Sequence, residues 1–138
     1  MINAAQIYRL KNDTIIMAIF DAVNSKGVKA YLVGGVLRNL ILSRPLGLDY
    51  DVALDSKVME TANILGKRLK GSVFLLDKAH GSYRVTIKQD GGILNIDLSK
   101  YNGKDIFEDL SNRDFTINAM AVDINAIFRN TDVDLIDI

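Results

Sequence analysis

The fold is decided by VKAYLVGGVLRNLIL, residues 28–42, a run that changes from strand to turn to helix. Val28–Val33 is short and apolar, as a buried strand is, and Gly34-Gly35 stops it. Val36–Leu42 has the composition of a short helix that begins directly after the glycines. A strand that ends in two glycines and opens a helix can turn backbone N–H groups toward an anion, with Arg38 one turn in. A plain tight turn also explains a Gly-Gly pair.

The second informative segment is Asp49-Tyr50-Asp51, at the start of a run, Asp49–Leu54, that alternates as a strand does. Residues two apart on a strand share a face, so both carboxylates project side by side. Two such charges repel each other unless a cation lies between them. Oxygen ligands of this kind suit Mg²⁺ or Mn²⁺. The pair therefore predicts either a divalent-metal site or an ordinary solvated strand face.

The rest of the chain predicts a single domain over residues 1–138. Asp13 is a predicted N-cap for a helix that ends before Gly27, and apolar residues at helical spacing mark another helix from Val58 to Leu69. Three strand-like runs follow, at Ser72–Leu76, Tyr83–Lys88 and Ile93–Leu98. A short helix is predicted near Asp105–Leu110, and Ile117–Ile124 is the last regular segment. The pattern predicts an α+β or α/β domain with a mixed sheet of about five strands, flanked by helices.

A third acid is a candidate for the same face as the first two. In Leu94–Leu98 apolar and polar residues alternate, so Asn95 and Asp97 share a face. Asp97 could then join the Asp49–Asp51 pair from a neighbouring strand, although a lone surface acid is the commoner explanation. The single histidine, His80, precedes a glycine in a predicted turn, and we interpret it as structural or surface.

The composition restricts the class of protein. The chain has 17 basic and 17 acidic side chains, a formal net charge of zero, so this domain by itself should not hold a long RNA tightly. There is no cysteine, which excludes disulfides and thiolate metal sites. No run approaches the ~20 apolar residues of a membrane span, and no signal peptide is recognisable. We expect a cytoplasmic protein without a membrane partner.

These motifs resemble a known family. Gly34-Gly35-Val36-Leu37-Arg38, then Asp49-Tyr50-Asp51, then the run DLSNRDFTINAMA at Asp109–Ala121 occur in the order found in the head domain of class II CCA-adding enzymes and bacterial poly(A) polymerases. The resemblance covers about residues 31–123, and the third motif is its most specific part. It implies the nucleotidyltransferase fold of the DNA polymerase β superfamily palm, with the acids on one sheet face.

The resemblance also implies roles. The chain would transfer AMP or CMP from ATP or CTP to an RNA 3′ end, with tRNA as the expected substrate, by a two-metal mechanism with release of pyrophosphate. Asp49 and Asp51 would hold the metal ions (Mg²⁺ or Mn²⁺), and Asp97 would help to activate the primer 3′-hydroxyl. The residues that would meet the nucleotide are Gly34, Gly35, Arg38, Arg113, Asp114 and Asn118, with Phe115 packed behind them.

Three departures from the family pattern qualify this expectation. Asn39 stands where the family usually has Asp, and Asn112 where a second arginine usually precedes Arg113. The chain also stops at Ile138, before the neck whose Glu-Asp-x-x-Arg motif selects the nucleotide, and before the body and tail that grip tRNA. The resemblance thus implies a fragment of a longer enzyme, poorly active alone and compatible with A-adding, CC-adding, CCA-adding or poly(A) polymerase activity. The alternative is a non-catalytic nucleotide- or RNA-binding module with the same fold.

Overall fold

The computed structural model describes residues 2–101, 105–106, 120–129 and 133–137. Five helices lie in this part of the chain: α1 Ala4–Lys11, α2 Thr14–Lys26, α3 Gly35–Ile41, α4 Val58–Leu69 and α5 Ile124–Phe128. The strands there are β1 Ala30–Val33, β2 Asp49–Leu54, β3 Ser72–Asp77, β4 Ser82–Gln89, β5 Gly92–Lys100, β6 Met120–Asp123 and β7 Ile136–Asp137. None of the helices described is long and apolar enough to cross a membrane.

All seven of these strands form one mixed sheet in the order β3-β4-β5-β2-β1-β6-β7. Only β2 and β5 pair in parallel; every other neighbouring pair is antiparallel. The mixed sheet with flanking helices is confirmed, but the predicted number of about five strands was too low. The five predicted strands are β1 to β5, whereas β6 and β7 extend the sheet beyond β1. These two strands are only four and two residues long, and they exist as strands through pairing rather than through sequence pattern.

The main core lies between one face of the sheet and the helices. All five helices contribute to it, and its largest fully buried side chains are Leu10, Ile16, Ile19, Leu32, Leu37, Leu40, Leu54, Leu65, Ile96, Leu98 and Ile124. A smaller cluster covers part of the opposite face, formed by Tyr31, Val33, Ala53, Ile106 and Ala121. Among the described residues, α1 to α5 thus pack on one face of the sheet, and the smaller cluster lies on the opposite face.

Asp13 connects α2 to the strand that carries the acid pair. Its Oδ1 accepts hydrogen bonds from the backbone N–H groups of Ile15 and Ile16, at 2.9 and 3.0 Å, as the predicted N-cap requires. Its Oδ2 accepts a 2.7 Å hydrogen bond from the hydroxyl of Tyr50, which is buried. Burial, and then the hydrogen bond to Asp13, raise the pKa of Tyr50 well above its ordinary value. One carboxylate thus caps a helix and fixes the middle residue of Asp49-Tyr50-Asp51.

Candidate active site

The three candidate acids lie on one face of the sheet, which we call the acid face. On β2, Asp49 and Asp51 are exposed and Tyr50 between them is buried, so the two carboxylates point away from the main core. The parallel pairing of β2 with β5 sets Asp51 directly opposite Asp97, and Asp49 directly opposite Asn95. Directly opposed residues on neighbouring strands share a face. The structure therefore brings Asp97 beside Asp51, although the two residues are far apart in sequence.

Gly34 lies against the acid pair at the end of β1. Val33 is paired with Asp51, and Gly34 follows with φ 76° and ψ −137°, a conformation that residues with a side chain rarely adopt. A Cβ atom at Gly34 would lie 3.3 Å from Oδ2 of Asp51, tighter than an ordinary van der Waals contact. The glycine is therefore required here twice over, by the backbone angle and by the close approach of the carboxylate.

Arg38 reaches back from α3 toward the same glycines. Its Nη2 lies 3.6 Å from the position that a Cβ atom on Gly35 would take. Its Nε is buried and has no hydrogen-bond partner among the described residues. A buried N–H donor without a partner is costly, so its presence at a site favours an acceptor that binds there. Arg38 thus places a cationic donor beside the Gly34-Gly35 turn, whose first residue lies against Asp51.

Arg84 is a site residue that the sequence reasoning missed. It lies on β4 directly opposite Asp97, and its Nε and Nη2 donate to the two oxygens of that carboxylate at 2.7 and 2.9 Å. The two side chains are partly shielded, at 32% and 26% exposure. The hairpin signal could have found it, because a two-residue turn at Asp90-Gly91 pairs Gln89 with Gly92, and counting back along both strands brings residue 84 to residue 97.

The charge of Arg84 is stabilised by the whole acid face. Its pKa is raised chiefly by the hydrogen bond to Asp97, against the opposing effect of burial, and further by the charges of Asp97, Asp49 and Asp51. Two residues further along β4, and on the same face, the hydroxyl of Thr86 donates to Oδ1 of Asn95 at 2.9 Å. Strand β4 therefore supports the polar side chains of β5 at two successive positions of the acid face.

The donor set of the acid face fits a divalent cation that substrate phosphates help to hold. Within the described ranges, no group of three or more His, Cys, Asp or Glu side chains could hold a metal ion. Mg²⁺ usually takes only one or two protein carboxylates and completes its shell with water and phosphate oxygens. Asp49 and Asp51 meet that requirement, whereas both oxygens of Asp97 are engaged by Arg84.

The side chains of Asn39 and His80 make hydrogen bonds that support the fold locally. The side-chain amide of Asn39 donates to the carbonyl of Leu46 at 3.0 Å, which fastens α3 to the loop that leads into β2. An ionised Asp, the residue usual in the family, could not donate this bond. His80 is exposed and pairs with Asp77, whose pKa this hydrogen bond lowers. The third motif lies outside the described residues. This applies to the expected nucleotide-binding residues Arg113, Asp114 and Asn118, to the departure at Asn112, and to Phe115.

Residues 30–137 match the family model described as the poly A polymerase head domain. This chain belongs to that family. The CC-adding tRNA nucleotidyltransferase of Geobacter sulfurreducens is 38% identical over 96 residues, which are 70% of this chain and 22% of that protein. The CCA-adding enzyme of Staphylococcus epidermidis is 30% identical over 119 residues, 78% of this chain and 28% of that protein. This head domain thus spans about a quarter of the length of these two relatives.

A solved structure shares the fold. It is a tRNA nucleotidyltransferase complexed with a primer tRNA and an incoming ATP analogue, with a TM-score of 0.68 and 28% sequence identity. The likeness covers 87% of this chain and 34% of that one. The nucleotidyltransferase fold expected from the motifs is therefore confirmed.

Proposed function

We propose that this chain is the catalytic head of a template-independent RNA nucleotidyltransferase. It transfers AMP or CMP from ATP or CTP to an RNA 3′ end, with tRNA as the first candidate, and releases pyrophosphate. The observation that carries the proposal is the shared face of Asp49, Asp51 and Asp97 beside Gly34. The substrate classes are supported by the family, by the CC-adding and CCA-adding activities of the two relatives, and by the tRNA and ATP analogue bound in the solved neighbour.

Asp49 and Asp51 are the proposed ligands for divalent cations, Mg²⁺ or Mn²⁺. Their exposed side chains lie on one strand face, and the absence of a side chain at Gly34 lets Oδ2 of Asp51 approach the glycine turn closely. When bound, two such ions lower the pKa of the attacking 3′-hydroxyl and neutralise charge on the leaving pyrophosphate.

The remaining groups position the reactants. Asp97 accepts a hydrogen bond from the primer 3′-hydroxyl at a lone pair that Arg84 leaves unused, since each carboxylate oxygen has two. The buried Nε–H of Arg38, which has no hydrogen-bond partner within the described ranges, donates to a phosphate oxygen of the incoming nucleotide. Arg113, Asp114 and Asn118 would contact the triphosphate and ribose. Such positioning with electrostatic stabilisation supplies most of the rate in phosphoryl transfer.

Thermal unfolding with and without metal tests the proposal. Mn²⁺ or Mg²⁺ should raise the melting temperature of the chain, and more so with ATP present, because a ligand that binds only the folded state stabilises it. The double variant Asp49→Asn/Asp51→Asn should fold and lose this rise. The control Glu60→Gln/Asp90→Asn removes the same number of exposed charges elsewhere and should keep it.

An equal rise in the double variant and the control would overturn the metal assignment. Incorporation of labelled ATP or CTP into a tRNA 3′ end, measured on the chain and on any longer natural form of it, separates the enzyme from the alternative. A non-catalytic binding module would bind the nucleotide and transfer nothing.

A further inference from the structure

A continuous row of side chains crosses four strands of the acid face. Pairing sets Phe74 on β3 opposite Arg84 on β4, Arg84 opposite Asp97 on β5, and Asp97 opposite Asp51 on β2. Arg84 is thus the single cation of this row, and it stands on the far side of Asp97 from the proposed metal ligands. Its Nε and Nη2 donate to the two oxygens of the Asp97 carboxylate in a bidentate geometry.

We propose that Arg84 is a positioning residue that fixes the carboxylate of Asp97 and offsets the negative charge of the acid face, and thereby sets how tightly this face holds a divalent cation. The inference rests on the proposed function, because it takes Asp49 and Asp51 as the metal ligands. It assigns to Arg84 two separable effects, one that needs the planar fork of the guanidinium and one that needs only its positive charge.

The fork determines the orientation of Asp97. Two parallel N–H···O bonds hold both oxygens of the carboxylate in one plane, whereas a lysine ammonium binds as a point charge and leaves the carboxylate free to rotate. The remaining lone pairs of Asp97 are then directed away from Arg84 across the acid face. Lysine at this position would preserve the charge and lose the orientation.

The charge of Arg84 competes with a bound cation. Arg84 already interacts favourably with Asp49 and Asp51 as well as with Asp97, as the rise of its pKa indicates. A divalent ion at Asp49 and Asp51 would be repelled by the same guanidinium within a Debye length. Removal of the charge should therefore tighten metal binding, while it destabilises the metal-free domain by leaving Asp97 without its bidentate partner.

Calorimetric titration of the 138-residue chain with MnCl₂, without nucleotide, tests the charge effect. Arg84→Met should bind Mn²⁺ at least about threefold more tightly than the parent chain, since a unit charge is lost near a divalent ion. Arg84→Lys should bind within about twofold of the parent. The control Arg68→Met removes an arginine that pairs with Asp21 on the helical side, and it should leave Mn²⁺ affinity unchanged.

Thermal unfolding of the same variants separates this role from a merely structural one. Saturating Mn²⁺ should raise the melting temperature of Arg84→Met by more than that of the parent. A purely structural defect would instead lower the melting temperature of the variant by the same amount with and without Mn²⁺. If Arg84→Met does not fold, Arg84→Gln removes the charge and keeps amide donors for Asp97, and the same tightening is expected.

Unchanged or weaker Mn²⁺ binding by the neutral variants would overturn the inference. If Asp49→Asn/Asp51→Asn meanwhile abolishes binding, the proposed metal site stands and only the role of Arg84 falls. If that double variant binds Mn²⁺ as the parent does, or the parent binds none, the metal site itself is wrong and the role of Arg84 falls with it.

Discussion

Replacement of Gly34 by alanine should separate backbone strain from the contact with Asp51. At φ 76° and ψ −137° a residue with a Cβ atom is held in a sparsely populated region, at a cost of about 1–3 kcal/mol. The new methyl would lie 3.3 Å from Oδ2 of Asp51 and would push that carboxylate aside by a few tenths of an ångström. Two effects follow, a loss of stability and a displaced metal ligand.

Gly27→Ala is the matched control for this variant. Gly27 ends α2 with φ 64°, so alanine is strained there too, at about 1–2 kcal/mol, but its Cβ would have nothing within 4 Å. Urea unfolding measures the loss of stability in both variants, and the melting temperature should fall by about 4 °C for each kcal/mol in a chain of this length. We expect both to be destabilised.

Only Gly34→Ala should also lose Mn²⁺ affinity, because only there does the methyl group meet a proposed ligand. Titration with MnCl₂ checks this at a temperature where both variants are folded. If Gly34→Ala binds Mn²⁺ as the parent does, the close approach of Gly34 to Asp51 has no bearing on the metal site, and its glycine is required by backbone conformation alone.

Three further predictions concern neighbouring contacts. Asn39→Asp, which restores the residue usual in the family, should cost about 1–3 kcal/mol, because the carbonyl of Leu46 loses its donor and faces a carboxylate; stability to urea that equals the parent's would contradict this. Tyr50→Phe should cost about 1–2 kcal/mol through loss of the bond to Asp13, and an effect below about 0.5 kcal/mol in urea unfolding would show that water replaces it. The chain should bind ATP, CTP, GTP and UTP within a few-fold of one another, since the proposed contacts reach phosphates and not bases; a tenfold preference in calorimetry, about 1.4 kcal/mol, would show that this domain reads the base.

The sequence alone determined the local structure and the chemistry of the motifs. Asp13 and Gly27 bound α2 as predicted, because caps depend on residues within one turn of each other. The alternation in Asp49–Leu54 put both acids on the exposed face, because strand residues alternate by covalent geometry. The short helix α1 was not predicted, although Asn3 and Gln6 form a reciprocal capping box at its start.

The tertiary structure decided which of these elements meet. No local pattern specifies that β2 pairs in parallel with β5, a strand about forty residues later, yet that pairing alone sets Asp97 beside Asp51. The same holds for β6 and β7, which became strands only by pairing at the far side of β1. Long-range pairing depends on the burial of complementary faces by the whole chain, whereas propensity and alternation act over a few residues. The acids, and through the hairpin register also the pairing of Arg84 with Asp97, could therefore be found from the sequence, but the meeting of Asp97 with Asp51 could not.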